Sequence, residues 1–442
     1  MGTLFDQVRS EQNLFAAWRH VKRSALNSRN SKIRGQAAEF EHLHQRHLRR
    51  IACQLREDRY EFAPVEGVLK DKEKRLKEKK DPRPIAVAPI ENRVVQRAIL
   101  QVLQPRRARD LSDIDTQYEA IQDSRLGKIN DINRSKFGVG GLLYPYGGVK
   151  PAIALISNAM NNGANYFYQS DIKSFFTKIP TKAVVEFIKK ETGDHLLADL
   201  FRKGLEINLS NEQELMTYAK LFPQDGIGVA QGSSLSAFAG NVLLFELDHQ
   251  LNKRGVTAVR YIDDILMVSK SKGELADAQA FAEEKLREFR FSLYRPSPGS
   301  DKAAQGKCTD AINFLGCTIQ PNRCVPSSTS ISKLKNDIAS ALSSSKEAIN
   351  KSLNSGKVLE PIMSQSSTLQ TISKKIYGWQ KSFSFCTDDQ PFRQLDEYIA
   401  RQLNDYDSYI RRKLDGQPLS AKAMVMGVLC TANMPLTRLI QP

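Results

Sequence analysis

Apolar residues along the chain follow both strand and helix periodicities, which predicts a mixed set of elements. Tyr166–Ile179 begins as an apolar strand that carries one acid, Asp171, and a helix is predicted after Pro180. Val256–Ser269 contains two short apolar strands around a pair of aspartates, a pattern typical of a β-hairpin. The apolar run 237–247 contains no proline and follows a glycine and serines, which predicts the start of a helix. These segments predict a mixture of strands and helices.

Both ends of the chain are predicted to be mostly helical. Segment 18–56 carries ten lysines and arginines against two glutamates, a net charge of 10 − 2 = +8. Between Phe392 and Leu414, apolar residues recur at spacings of three and four, which indicates an amphipathic helix. The composition changes near residue 322 to serine, lysine and helix formers. We therefore expect a domain boundary there and a helical C-terminal domain.

Three connecting segments have distinctive compositions. The basic run Lys70–Lys80 precedes Asp81-Pro82-Arg83-Pro84, and this order predicts a mobile basic loop before an extended stretch. Lys136–Gly148 is rich in glycine, which suits a loop that approaches a ligand closely. Asn313–Ile319 predicts one further strand.

Charge and composition narrow the class of protein. The chain has 442 residues and a net charge of 65 − 49 = +16, so a polyanion is the expected partner. Its 41% hydrophobic content excludes a wholly disordered chain. The six cysteines are scattered without a C-x-x-C pair, which favours reduced thiols, and no stretch approaches the roughly 20 apolar residues of a membrane span. We expect a soluble cytoplasmic protein that does not bind membranes.

Three aspartates are the strongest candidates for chemistry. Asp263 and Asp264 lie at the predicted hairpin turn, and Asp171 lies at the end of another strand. Mutual repulsion makes such a cluster costly without cations. Carboxylates are ligands that Mg²⁺ prefers, and two ions about 3.5 to 4 Å apart can activate a hydroxyl and stabilise a leaving pyrophosphate. The pair Asp263-Asp264 alone would be ordinary turn chemistry, so the neighbouring motifs decide between the two interpretations.

Those motifs resemble a known family. Asp171-Ile-Lys-Ser-Phe-Phe176, Gln231-Gly-Ser-Ser-Leu-Ser236 and Tyr261-Ile-Asp-Asp264 resemble motifs A, B and C of reverse transcriptases, in the right order. Arg83–Pro89 followed by Asn92–Leu100 is similar to the fingers segment of bacterial reverse transcriptases related to group II introns.

The resemblance continues towards the C-terminus. Asn313-Phe-Leu-Gly316 is similar to the primer grip, and Tyr377-Gly-Trp-Gln380 is similar to part of the thumb. The similarity covers about residues 63 to 415 and implies an α+β right-hand polymerase fold with fingers, an antiparallel palm sheet covered by helices, and a helical thumb. The implied domains are a basic helical N-terminal extension (1–62), fingers (63–165), a palm with motifs A to E (166–322, with part of the fingers inserted near 181–225), and an α-helical thumb with the C-terminal segment (323–442).

The resemblance also implies roles for individual residues. Asp171 and Asp263 are the principal ligands of two Mg²⁺ ions, for which Mn²⁺ can substitute, Asp264 is the third catalytic carboxylate, and the carbonyl of Ile172 is a further metal contact. Phe176 matches the steric gate, an aromatic ring that excludes a 2′-hydroxyl, so the product is DNA. The residues assigned to the incoming nucleotide are Arg83, Phe176, Gln231, Gly232 and the motif D lysine, either Lys302 or Lys307. Those assigned to the nucleic acid are Lys79, Lys80, Tyr261, Phe314, Leu315 and Gly316.

Departures from the family pattern bear on the biological role. The segment up to Pro442 lacks the Cys/His ligands of a DNA-binding or H-N-H extension, so we expect none after the thumb. No Val-Thr-Gly tripeptide typical of retrons is present, Ala237 replaces the proline of motif B, and Ile262 replaces the alanine of motif C. These features look more like the defence-associated bacterial reverse transcriptases of the formerly unknown groups. That resemblance implies a structured non-coding RNA as template, dNTPs as substrates, a cDNA product and a role in antiviral defence; it implies no oligomeric state.

Two other functions are compatible with the same motifs. One is an intron-derived or diversity-generating reverse transcriptase. The other is a non-catalytic RNA-binding scaffold that keeps a polymerase fold, although the intact aspartates argue against it.

Overall fold

A computed structural model describes residues 2–28, 30–109, 118–224, 226–355 and 358–428 of the chain. The chain forms two compact units, Met1–Cys308 and Thr309–Pro442. None of the helices in the described ranges combines the length and apolar character that crossing a bilayer requires. Each unit is described below by itself.

The first unit contains both helices and short strands. The helices are α1 (Leu4–Val8), α2 (Glu11–Ala25), α3 (Ser31–His42), α4 (His44–Arg56), α5 (Lys72–Lys77), α6 (Ile90–Leu103), α7 (Ile129–Asn133), α8 (Val149–Asn161), α9 (Phe175–Lys178), α10 (Thr181–Thr192), α11 (His195–Leu205), α12 (Glu212–Leu215), α13 (Ser236–Leu251) and α14 (Lys272–Glu288). The strands are β1 (Glu66–Lys70), β2 (Arg83–Val87), β3 (Arg106–Ala108), β4 (Tyr118–Ala120), β5 (Tyr166–Asp171), β6 (Thr257–Tyr261), β7 (Asp264–Ser269) and β8 (Ala303–Lys307).

The second unit is mainly helical. It begins with a small antiparallel sheet in the order β11-β10-β9, whose strands are β9 (Ile312–Phe314), β10 (Cys317–Gln320) and β11 (Arg323–Pro326). Its helices are α15 (Ser328–Ser355), α16 (Gln365–Phe383), α17 (Gln390–Leu414) and α18 (Leu419–Met426). The first three helices bury one apolar cluster, in which the Ser345 and Tyr406 hydroxyls lie 2.8 Å apart. The amphipathic helix predicted over 392–414 is confirmed by α17.

A four-stranded antiparallel sheet lies at the centre of the first unit, in the order β6-β7-β5-β8. Residues Ile265–Ser269 of β7 are buried because this strand lies between β6 and β5, with helices α8 and α14 packed against it. The predicted hairpin over 256–269 is confirmed by β6 and β7. The combination of an antiparallel sheet with helices confirms the α+β class.

The N-terminal helices share the main hydrophobic core. Helix α2 buries one stripe of apolar residues against α6, and its Trp18 is 1% exposed while its indole N–H donates to Glu41 at 2.8 Å. Helix α6 is buried along most of its length because α2 and α11 cover it on different sides. Apart from Arg29, which lies outside the described residues, the basic residues of segment 18–56 belong to helices α2, α3 and α4, which are fixed to the core through their apolar faces.

The basic segment 70–80 contains a helix, so the prediction of a loop is wrong there. Helix α5 connects β1 to β2, and lysine and glutamate are good helix formers when solvated. The base of this hairpin is held from residues far along the chain: Gly67 N–H donates to Asn211 Oδ1 at 2.8 Å, and Asn211 Nδ2 donates to the Gly67 carbonyl at 3.0 Å.

The single strand predicted over 313–319 is also wrong. It is two strands, β9 and β10, separated by a turn in which Leu315 and Gly316 have φ values of 50° and 79°. Glycine adopts this left-handed conformation without steric cost, and it allows the apolar run to reverse direction.

The glycine-rich segment 136–148 approaches the protein's own interior. A Cβ added to Gly138 would lie 2.3 Å from Asp248 Oδ2, and one added to Gly140 would lie 2.6 Å from the Ile262 backbone nitrogen. The backbone of this segment also pairs with β6, since Arg260 N–H donates to the Phe137 carbonyl at 2.7 Å. The absence of side chains at these positions lets the segment close over the β6–β7 hairpin.

Candidate active site

Three aspartates meet at one end of the central sheet. Asp171 is the last residue of β5 and lies directly opposite Asp264, the first residue of β7. Asp263 occupies the β6–β7 turn, and its carbonyl accepts a hydrogen bond from the Ile172 N–H at 2.7 Å. The structure therefore brings together the carboxylates that are 92 residues apart in sequence, as predicted.

The surroundings of Asp263 and Asp264 disfavour the negative charge of their carboxylates. Burial, a hydrogen bond with Asp171 and repulsion from the charges of Asp171 and Asp263 raise the pKa of Asp264 to about 7. Burial also raises the pKa of Asp263, and repulsion from Asp171 adds to this shift. A cation placed between the carboxylates would stabilise their charged forms, because its positive charge offsets their mutual repulsion and the cost of burying them.

A lysine already lies at this cluster. Lys302 Nζ forms an ion pair with Asp171, and the Lys302 carbonyl accepts the Asp171 N–H at 3.0 Å. Burial lowers the pKa of Lys302, but the hydrogen bond and charge of Asp171 outweigh it, so the pKa of the ammonium is raised. Lys307 pairs with Tyr166 at the opposite end of β5. Of the two lysines left open by the sequence, the structure places Lys302 at the carboxylates.

The turn that carries Asp263 has a strained backbone. Ile262 has a φ of 64°, a value that β-branched residues rarely adopt. Its carbonyl accepts a hydrogen bond from Arg260 Nη1 at 2.8 Å. Arg260 is 2% exposed and forms a buried ion pair with Asp248 of α13, with Nη2 and Oδ2 2.6 Å apart. The ion pair fixes the guanidinium that holds the turn.

Three further contacts extend this network. Arg260 Nη2 donates to Asn241 Oδ1 at 3.3 Å, and Asn241 Nδ2 donates to the Gly140 carbonyl at 2.7 Å. The Val139 N–H donates to the Arg260 carbonyl at 2.9 Å. Sequence analysis missed these positioning residues, although an acid within the apolar helix α13 and an arginine within the apolar strand β6 were visible signals.

Motif B lies against the β1–β2 hairpin. The Gln231 carbonyl accepts a hydrogen bond from the Ala86 N–H at 3.0 Å. Gly232 has a φ of 115°, and a Cβ there would lie 2.9 Å from the Ala86 carbonyl oxygen. The close approach that glycine allows is thus made to strand β2.

Phe176 lies just beyond the strand that carries Asp171. Its half-buried ring packs beside Phe175, with ring centroids 5.5 Å apart. Its carbonyl accepts a hydrogen bond from the Val229 N–H at 2.7 Å, which ties it to the segment that leads into motif B. The partial exposure of the ring is compatible with the predicted contact to a nucleotide sugar.

The predicted phosphate-binding cations are exposed on the β1–β2 hairpin. Arg83 begins β2 opposite Lys70, and Lys79 has a φ of 55°. Lys80 pairs with Glu78, with Nζ and Oε2 3.1 Å apart. These side chains are solvated cations, and their contacts to a triphosphate stay a prediction.

The remaining predicted nucleic-acid contacts differ in exposure. Tyr261 ends β6 opposite Asp264 and is half-buried. Phe314 is 1% exposed, so its ring packs inside the protein. Leu315 and Gly316 form the half-buried turn of the second unit, and they are the more accessible residues of that motif.

The donor set fits the Mg²⁺ ions that the sequence implies. Ionised Asp171, Asp263 and Asp264 together with Lys302 carry a formal charge of −3 + 1 = −2, concentrated at half-buried oxygens. Hard carboxylate oxygens are ligands that Mg²⁺ and Mn²⁺ accept. The raised pKa values of Asp263 and Asp264 are the electrostatic signature of a site that needs a cation.

Lowering the pH should weaken divalent-cation binding. Asp264, with a pKa of about 7, must lose its proton before it binds a metal, so Mn²⁺ affinity should fall about tenfold between about pH 8 and about pH 6. Electron paramagnetic resonance of free Mn²⁺ measures this affinity.

The same raised pKa affects stability. Because it exceeds the ordinary value of 3.8, the contribution of Asp264 to the free energy of unfolding decreases as the pH rises from about 4 to about 7.

The matched control for this titration is Asp264→Asn, which cannot ionise. It should bind Mn²⁺ more weakly at every pH, with a nearly flat profile over the same range. A wild-type affinity that is independent of pH would contradict the assignment of Asp264 as a ligand.

Variants of the buried Arg260 should separate its contribution to the free energy of unfolding from its role in positioning the turn that carries Asp263. Arg260→Met leaves Asp248 buried and unpaired, which should lower the free energy of unfolding by about 3 to 5 kcal/mol. The double variant Asp248→Leu/Arg260→Met should regain most of that stability, because it buries no charge. It should still bind Mn²⁺ about tenfold or more weakly than wild type, because the Ile262 carbonyl has lost its donor.

Urea unfolding and Mn²⁺ titration together check this prediction. Arg254→Met is the control, since Arg254 lies over the Phe281 ring with its guanidinium carbon 3.7 Å from the ring centroid and makes no contact with the turn in the described network. It should change stability by about 1 kcal/mol or less. Wild-type Mn²⁺ affinity in the double variant would limit Arg260 to a role in stability.

Comparison with solved structures finds distant likenesses. A chain of a partial Cas6-RT-Cas1–Cas2 complex is 20% identical, with a TM-score of 0.35 and coverage of 65% of this chain and 42% of that one. A chain of a Cas6-RT-Cas1–Cas2 complex is 14% identical, with a TM-score of 0.35 and coverage of 92% of this chain and 50% of that one. Telomerase from Candida albicans in complex with a telomeric RNA fragment is 12% identical, with a TM-score of 0.39 and coverage of 82% of this chain and 60% of that one. The chain spans half or less of the length of the two Cas6-RT-Cas1 chains.

The family assignment rests on sequence. No curated protein matches the chain. The profile of the reverse transcriptase (RNA-dependent DNA polymerase) family matches residues 70–319, more than half of the chain, and spans all three aspartates and the central sheet. Together with the antiparallel sheet that carries those aspartates, this match shows that the chain belongs to the reverse transcriptase family of RNA-directed DNA polymerases.

Proposed function

We propose that the chain copies RNA into DNA by two-metal-ion nucleotidyl transfer at Asp171, Asp263 and Asp264. The observation that carries this proposal is the meeting of three half-buried carboxylates at one sheet end in a reverse transcriptase domain. Asp171 and Asp263 are the principal ligands, and Asp264 is the third carboxylate. Two Mg²⁺ ions, when bound, activate the primer hydroxyl and stabilise the leaving pyrophosphate.

Lys302 supplies a proton to the leaving group in this proposal. Its raised pKa keeps the ammonium charged at neutral pH, and its ion pair with Asp171 holds it beside the reaction centre. A cation bound to Asp171 would compete for that carboxylate and release the ammonium towards the pyrophosphate. Lys302 therefore exchanges one anionic partner for another.

The surrounding residues select a deoxynucleotide. Phe176 lies five residues after Asp171, where an aromatic ring beneath the sugar would collide with a 2′-hydroxyl. Gln231 and Gly232 shape the floor of the nucleotide site next to β2. Arg83 on the same strand pairs with the triphosphate, since a guanidinium binds phosphate oxygens in a bidentate manner.

The template is proposed to be a structured non-coding RNA, and the cDNA to act in cytoplasmic antiviral defence. The net charge of +16 and the basic helices α2 to α4 favour extensive phosphate contacts. The departures at Ala237 and Ile262, together with the resemblance to defence-associated bacterial reverse transcriptases, favour this role over an intron-derived or diversity-generating one.

Sequencing of co-purified nucleic acids tests the proposal. The tagged protein is isolated from cells that carry its native flanking DNA, beside the variant Asp263→Ala/Asp264→Ala. One discrete RNA should accompany both proteins, and complementary DNA should accompany only the wild type. RNA without cDNA in both samples, together with unchanged biological activity of the variant, would support the non-catalytic scaffold instead.

Removal of the proposed steric gate should relax sugar selection. Phe176→Val should raise the use of ribonucleotides relative to deoxynucleotides by about tenfold or more, because the smaller side chain leaves room for a 2′-hydroxyl. Primer extension with each nucleotide type measures the ratio. Phe187→Val, another half-buried phenylalanine packed against the same core, should leave the ratio unchanged. Equal ratios in both variants would remove Phe176 from sugar selection.

A further inference from the structure

Three cysteines of the second unit converge on one point. Cys317 lies on β10, Cys324 lies on β11, and Cys386 lies three residues beyond the end of α16. Their Sγ atoms all lie within 4.8 Å of one another, and those of Cys324 and Cys386 are 3.9 Å apart. Three separate segments therefore deliver soft sulfur donors to the same place.

The sheet register places the first two thiols on one face. Cys324 lies opposite Ile319 in the antiparallel ladder, and Ile319 is two residues from Cys317. Since side chains alternate between faces along a strand, Cys317, Ile319 and Cys324 all point to the same side. The convergence follows from the backbone and does not depend on one flexible side chain.

Hydrogen bonds bring the third thiol to that face. The Thr387 N–H donates to the Cys324 carbonyl at 2.8 Å, and the Cys324 N–H donates to Thr387 Oγ1 at 2.9 Å. The Cys386 N–H donates to the Phe383 carbonyl at 3.0 Å. Next to these contacts, Arg323 pairs with Asp388, with Nη2 and Oδ2 3.0 Å apart. Thr387 and Asp388, the two residues that follow Cys386, are thus held to β11.

The sulfur separations fit a tetrahedral metal site. A Zn–S bond of about 2.3 Å gives S–S separations of about 3.8 Å in a tetrahedron, close to the 3.9 Å between Cys324 and Cys386. A disulfide requires about 2.05 Å and joins only two of the three sulfurs. A metal ion satisfies all three donors at once with small side-chain movements.

The cluster is closed on one side and accessible on the other. Cys317 is 0% and Cys324 is 4% exposed, whereas Cys386 is half-buried. Cys386 lines a cavity of about 720 Å³ together with Thr387 and Asp388. This cavity provides a route for an ion and space for a water molecule next to the sulfurs.

We propose that Cys317, Cys324 and Cys386 bind a Zn²⁺ ion as thiolates, with a water molecule from the cavity as the fourth ligand. Binding displaces the thiol protons to solvent and involves no change in oxidation state. The ion joins the β10–β11 hairpin to the segment that follows α16, so its binding should stabilise that connection. The site is independent of Asp171, Asp263 and Asp264 and of the chemistry proposed for them.

Metal analysis of the full-length protein tests this site. Protein purified with a phosphine reductant and without chelators should contain about one zinc ion per chain, as measured by inductively coupled plasma mass spectrometry. Replacement of zinc by Co²⁺ should produce thiolate-to-cobalt charge-transfer bands and the visible spectrum of a tetrahedral ion. Cys386→Ser, at the half-buried position, should lower the zinc content to below about one-tenth per chain and abolish those bands.

Two matched variants control for general effects of removing a thiol. Cys308→Ser removes a buried thiol of the first unit, and Cys53→Ser removes an exposed one, neither of which belongs to the cluster. Both should retain the zinc, and so should Asp263→Asn. A zinc chelator should lower the melting temperature of the wild type and leave that of Cys386→Ser unchanged, which separates lost binding from misfolding.

Three results would overturn the proposal. The first is reduced wild-type protein that binds neither zinc nor cobalt. The second is an equal loss of zinc in Cys308→Ser and Cys386→Ser. The third is a Cys324–Cys386 disulfide found by peptide mapping of protein kept under reducing conditions.

Discussion

The buried ion pair between Arg260 and Asp248 is the constraint on which the candidate active site depends. A charged pair inside the core is costly unless its geometry is nearly ideal and its remaining hydrogen bonds are satisfied. Here the guanidinium contacts the Asp248 carboxylate, the Asn241 amide and the Ile262 carbonyl. The contact to Ile262 links the pair directly to the turn beside Asp263. The network therefore sets the backbone position of Asp263, the proposed metal ligand.

The same constraint explains two other features of the first unit. Gly138 has no side chain because a Cβ there would overlap Asp248 and Arg260. The strained φ of Ile262 persists because its carbonyl is held by Arg260 and its backbone nitrogen is closely covered by Gly140. A strained backbone conformation of this kind persists where the surrounding contacts leave no room for another conformation. In this chain the surrounding structure is the backbone at Gly138 and Gly140 together with the buried Arg260–Asp248 ion pair.

The aspartates were predictable from sequence because local patterns determine their positions. Asp171 ends an apolar strand, and Asp263 and Asp264 lie at the turn of an apolar hairpin. The pattern of apolar strands and turns therefore predicts that these aspartates lie at sheet ends. The choice between Lys302 and Lys307 was not predictable, since it depends on the register of β8 against β5. Asp248 was missed for a similar reason, because its partner is on another element.

The cysteines show the limit of spacing as evidence. Cys308, Cys317 and Cys324 are near one another in sequence but form no C-x-x-C pair, so sequence analysis predicts only reduced thiols for them. The structure leaves Cys308 outside the cluster and adds Cys386, which is 62 residues beyond Cys324. Short ligand spacings identify sites built on one local motif, whereas this cluster is formed by tertiary contacts between a hairpin and a distant segment.

Anomalous diffraction tests the central claim most directly. Crystals of the protein with an RNA template, a DNA primer and a non-reactive deoxynucleotide would be grown with Mn²⁺ in place of Mg²⁺. The account predicts two manganese peaks about 3.5 to 4 Å apart, both next to the carboxylates of Asp171 and Asp263. An ordered primer end and nucleotide with no manganese at these carboxylates would contradict it.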